Sequence, residues 1–103
     1  MTEQAYVRAV RSVYLQLPNT HPSFSRSDRR LAEALFQRNV PFDVVRAALL
    51  LATARRICPN PAVPPLPPVR SLHYFMPAID EILRQPLPSG YVRYLESKIA
   101  QYK

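Results

Sequence analysis

Glycine occurs once in the 103 residues, cysteine once and tryptophan not at all. Each scarcity excludes something. One glycine cannot make a glycine-rich loop around a phosphate, and no Asn-Gly or Asp-Gly pair marks a tight hairpin. The lone Cys58 forbids an internal disulfide and suits a reducing compartment. The longest apolar run, Ala47 to Ala52, is far too short to cross a bilayer. The opening "MTEQAYVRAVRS" has no basic start followed by an apolar block, so no secretory leader is expected and the expected location is the cytoplasm. No stretch alternates strictly between apolar and polar, as a half-buried strand does.

Acidic residues are also scarce: 7 against 14 cations, a formal charge of +7. Twelve of the cations are arginine, the side chain whose planar fork best matches phosphate. Such an excess repels itself and favours polyanionic partners. With 48% hydrophobic residues, the chain is expected to fold as one domain over residues 1–103 around one core.

Helical period dominates what is present. Thr2 is a suitable N-cap for a helix over about 3–17, whose stripe is Tyr6, Val10, Val13, Tyr14 and Leu17. Arg8 and Arg11 share its other side, and Pro18 ends it. Ser25-x-x-Asp28 has the capping-box shape, opening a second helix to about Arg38 that buries Leu31, Leu35 and Phe36. Asn39 tolerates a left-handed C-cap. Pro41 then starts a third helix to Ile57, with Val44, Val45, Ala48, Leu49, Leu51 and Ala52 on a broad face and Leu50 nearly opposite. A helix apolar on most sides is a central one.

Residues 58–70 form a proline-rich connection; "CPNPAVPPLPPV" holds six of the twelve prolines. It is expected to be an extended strap, partly polyproline II, rather than a PxxP ligand for a recognition domain. In the fourth helix Ser71 serves as cap and Pro77 produces a kink; alternatively, 71–75 form a separate turn and the helix starts near Met76. Phe75, Ile79 and Leu83 recur every four residues as a core stripe, widened by Met76 and Ile82. Ser89 is expected to cap a fifth helix over 90–102 that buries Val92, Leu95, Ile99 and Tyr102.

No catalytic constellation emerges. His21 and His73 lack triad spacing, adjacent Asp80 and Glu81 point apart on a helix, and Cys58, His21 and His73 show no metal-ligand spacing. No enzyme activity, cofactor or metal is therefore expected. The second and third helices meet at Asn39–Pro41 as in a helix-turn-helix, but the second member is the apolar helix that the core needs. The candidate nucleic-acid contacts are arginines near helix ends: Arg26, Arg29 and Arg30, whose charges oppose the helix dipole, then Arg55, Arg56 and Arg70 around the strap. Tyr91, Arg93, Tyr94 and Lys98 form a secondary surface of stackable rings and cations. His73 and Tyr74 are candidates for protein docking.

The stretch "LAEALFQRNVPFDVVRAALLLATAR" followed by "VRSLHYFMPAIDEIL" resembles the C-terminal helical domain of DnaD-like replication initiation proteins. Val44, Val45, Ala47 and Ala48 stand in the family's first helical pattern, and Phe75-xxx-Ile79-xxx-Leu83 in its aromatic-xxx-Ile-xxx-Trp motif. Phe75 replaces the usual tyrosine, Leu83 the usual tryptophan, and the proline strap is an addition. The likeness spans about half the chain. It implies a helical DNA-binding domain in replication, here as a divergent accessory protein of a mobile element. The expectation is an all-α, five-helix domain that binds single- or double-stranded DNA without enzymatic activity and largely without reading sequence. The alternative is a helical adaptor or small subunit of a nucleoprotein complex.

Overall fold

The computed structural model describes residues 1–57 and 67–102, Tyr102 by its backbone only. Its elements are α1 (Glu3–Gln16), α2 (Arg26–Gln37), α3 (Phe42–Ile57), a 3₁₀ turn (Leu72–Phe75), α4 (Met76–Arg84) and α5 (Tyr91–Tyr102). No strand occurs among the described residues, and the fold is all-α. None of these helices is long and apolar enough to cross a membrane.

Local chemistry sets the boundaries. The Thr2 hydroxyl accepts from the Ala5 N–H at 3.1 Å, and α1 stops at Leu17, before Pro18. At α2 the capping box closes reciprocally: the Asp28 N–H donates to Ser25 Oγ at 3.1 Å, and the Ser25 N–H donates to Asp28 Oδ2 at 3.0 Å. Asn39 takes a φ of +60° just beyond α2, a conformation that asparagine tolerates better than most residues. The Pro41 carbonyl then accepts the first bonds of α3, from Val44 and Val45.

Side-chain pattern sets the packing. α3 lies against α1, α4, α5 and the 3₁₀ turn, while α2 packs on α1. Val45 and every residue from Ala47 to Leu51 are buried, so α3 is apolar nearly all round and central, as its composition predicts. Tyr14, Phe75, Leu35, Leu49, Leu72 and Ile79 are the largest fully buried side chains. Removing one side chain of this size from water is worth roughly 1.5–3 kcal/mol. Gln37 at the end of α2 donates to Glu3 at the start of α1 at 3.0 Å, so these two helices run antiparallel.

Four expectations need correction. Pro77 produces no kink; it sits in the first turn of α4, where its missing N–H has no partner to lose, and residues 72–75 form the separate turn. Leu83 is 41% exposed although it follows the buried Ile79 by four residues; the buried face of α4 is Ala78, Ile79 and Ile82, and Leu83 falls at its edge in the last turn. Leu31 and Phe36 only flank the core, and α2 buries Asp28, Ala32 and Leu35. Finally, α5 is entered through Gly90 rather than capped by Ser89: Gly90 adopts φ +84°, and its carbonyl accepts from the Tyr94 N–H.

The expected polyproline strap falls largely on residues 58–66, outside the described residues, as do Cys58 and the expected burial of the Tyr102 side chain. The C-terminal end of the strap is fixed. Val69 is buried and pairs with the loop after α1, its N–H donating to the Asn19 carbonyl at 2.9 Å.

Candidate nucleic-acid interface

The antiparallel pair α1–α2 leaves a groove of ≈ 580 Å³ between its helices. Arg8 and Arg11 line it from α1, Arg26 and Arg29 from the first turn of α2, and Val7 and Phe24 are the apolar residues of its lining. All four arginines are exposed, and none of their guanidinium groups makes an ion pair or hydrogen bond among the described residues. Glu3 and Glu33 line the same groove. Glu3 stands in the first turn of α1 and Glu33 one turn after Arg29 on α2, so the groove carries four arginines against two acids, with no ion pair formed between them among the described residues.

The sequence singled out Arg26 and Arg29. It passed over Arg8 and Arg11 as a phosphate set, although their three-residue spacing put them on one side of α1. What it could not supply was the second helix across from them. Arg30, in the same turn as Arg29, is exposed but does not line the groove, and Arg70 is exposed just before the 3₁₀ turn.

The two remaining arginines of the expected set are committed elsewhere. Arg55 grips Glu81 of α4 with both terminal nitrogens, at 2.9 and 2.8 Å. That bond holds the Glu81 carboxyl below its ordinary range. Arg56 lies 5.0 Å above the Tyr74 ring, donates to the Tyr74 hydroxyl at 3.1 Å, and donates to the Pro67 carbonyl. It braces the end of the strap against the 3₁₀ turn. Tyr74 is 45% exposed, yet its ring and hydroxyl are both engaged by that guanidinium, which weakens it as a docking anchor. His73 is exposed, and its Nε2 lies 3.1 Å from the Ser27 hydroxyl.

On α5, Tyr91 and Tyr94 stand 5.6 Å apart between ring centres, and the Lys98 ammonium sits 5.8 Å from the Tyr94 ring. Tyr91 packs on the core while Tyr94 is 52% exposed, so the pair offers one accessible ring rather than two. Arg93 is exposed beside them. This secondary surface and the groove lie on different elements.

Asp28 links the groove wall to the rest of the fold. Fully buried, its carboxylate accepts from the Ser25 N–H, the Ser71 hydroxyl at 3.1 Å and the Leu72 N–H at 2.9 Å. One side chain thus caps α2 and the 3₁₀ turn together. Burial, and secondarily the Asp28 charge, push the Tyr14 phenol up. Burial pushes Tyr6 up to about 12, with its hydroxyl donating to the Val40 carbonyl at 2.9 Å.

Among the described residues the two histidines are apart and hydrogen-bonded to serines, His21 to Ser23 and His73 to Ser27, and no cluster of three potential metal ligands occurs. Nor does α3 offer a recognition helix, since the core covers most of it. The chain matches no family model, no curated protein and no solved structure.

Proposed function

We propose that this protein is a non-enzymatic nucleic-acid-binding module whose principal surface is the α1–α2 groove, holding backbone phosphates with Arg8, Arg11, Arg26 and Arg29. One observation supports this above all: four arginines from two helices converge on a single groove, and none of them pairs with a carboxylate among the described residues. Convergent like charges repel one another, and Arg26 and Arg29 also stand at the positive end of the α2 dipole. An arrangement that does not favour folding is favoured by an anion. Contacts of this kind position a protein on the phosphate backbone without reading bases. Arg30 and Arg70 extend the basic surface, and Arg93, Tyr94 and Lys98 supply a weaker one.

A place in DNA replication or mobile-element maintenance rests on the resemblance to DnaD-like domains and is proposed on that ground only. The test is a titration of labelled oligonucleotides followed by anisotropy at several salt concentrations. Binding that weakens with salt, with a logarithmic slope of about −0.7 to −0.9 per phosphate contacted, supports the proposal. Charge reversal at Arg8 and Arg29 should then lower both affinity and slope. Absence of binding even at low salt would leave the adaptor reading, with an acidic protein as partner.

A further inference from the structure

We infer that the α1–α2 groove takes single-stranded nucleic acid, with phosphates on its arginines and a base against Phe24; this rests on the nucleic-acid reading above and gives it a strand preference. Three observations lead there. The arginines are joined in the groove by an aromatic ring that the core leaves partly open: Phe24 is half-buried and held edge-to-face by Tyr14 at 5.6 Å. A cation-lined groove with a stackable ring in its lining is the combination that single strands use.

The second observation is one of access. A duplex keeps its bases stacked inside and presents phosphates on a convex surface, so it can touch the groove's exposed arginines but cannot lay a base on the Phe24 ring. A single strand can do both. The volume, ≈ 580 Å³, is that of a small-ligand pocket, roughly 300–1,000 Å³, and suits a short stretch of strand. Thirdly, the four arginines outnumber Glu3 and Glu33 along the groove, so its net charge favours the phosphates of a strand.

The experiment compares an oligothymidylate, its duplex with oligodeoxyadenylate, and a single strand carrying 2-aminopurine, on the intact protein. The single strand should bind at least about tenfold more tightly than the duplex, and 2-aminopurine emission should change on binding. Phe24→Leu should weaken single-strand binding roughly fivefold or more and remove the emission change, while leaving duplex binding nearly unaltered. Phe24→Tyr, which keeps a ring, should behave as wild type, separating stacking from packing. Equal affinity for both forms with no emission change would overturn the inference and leave the nucleic-acid reading standing. Binding of neither form would overturn both. Displacement of the single strand by polyglutamate at lower concentration than by unlabelled oligonucleotide would also overturn it, assigning the groove to an acidic protein.

Discussion

Arg29 and Arg55 carry the same side chain in the terminal turn of a helix, and the fold gives them opposite circumstances. Arg29 opens α2, faces a groove with three other arginines and has no acidic partner among the described residues. Arg55 closes α3, where a cation favours the dipole, and is held by Glu81 at two points. The contrast extends to the regions around them. On the α3–α4–α5 side, Arg46 pairs with Glu96 and Arg56 with Tyr74 and Pro67, so cations tie helices together. On the α1–α2 side, the groove arginines tie nothing. Net charge therefore does not say which arginines are held in the fold; the carboxylates, rings and carbonyls they meet do.

The largest effect is expected where the two regions are joined. Asp28→Ala removes a fully buried carboxylate and strands the Leu72 and Ser25 N–H groups and the Ser71 hydroxyl. Loss of about 3–5 kcal/mol is expected in urea unfolding. A loss under about 1 kcal/mol would mean that the two regions are not coupled through this residue.

Reversing charge sharpens the comparison next. Arg8→Glu with Arg29→Glu should lower oligonucleotide affinity by about a hundredfold or more at low salt, because two attractions to phosphate become repulsions. The same double change should leave the melting temperature level or raise it. Arg55→Glu should do the reverse, lowering the melting temperature with affinity nearly unchanged. If both variants lose affinity equally, the distinction between free and committed arginines fails.

A smaller effect is expected at high pH. Because the Tyr6 phenol is raised from 10.0 to about 12 in the folded state, the unfolded chain ionises first. Stability is then complete below pH 10 and falls as pH rises toward 12. Tyr6→Phe should cost about 1 kcal/mol at neutral pH, from the lost bond to Val40, and flatten the alkaline decline. Thermal melts at a series of pH values would show both.

The smallest effect lies at the Arg55–Glu81 pair, which is exposed and screened by solvent. Its folded carboxyl is lowered from the ordinary 4.5, so its contribution is present above that pH and fades as pH falls through the lowered value. A slight acid-side decline in melting temperature that Glu81→Gln abolishes, and that high salt weakens, is the expected result.

Much of the fold was legible because it depends on neighbours in the chain. The caps at Thr2 and Ser25, the left-handed Asn39 and the apolar run of α3 are local or periodic features, and the structure bears them out. Leu83 was misread because a four-residue step drifts about 40° round an α-helix, and from the buried face of Ala78, Ile79 and Ile82 it carries Leu83 to an exposed edge. Asp28 was read as a cap, but its second role depends on Leu72, 44 residues away.

The candidate site was legible in part. Charge count and clustering at residues 26–30 marked one wall of the groove, and Arg8 and Arg11 became its other wall only when α1 and α2 paired antiparallel. By itself, then, the sequence determined helix positions, a central apolar helix and an excess of arginine, because capping, periodicity and charge are properties of short stretches. Only the tertiary structure decided which arginines face a groove and which are held by carboxylates. That outcome turns on pairs such as Arg55 with Glu81, 26 residues apart, and Arg46 with Glu96, 50 apart, and electrostatic pairing depends on distance in space rather than along the chain.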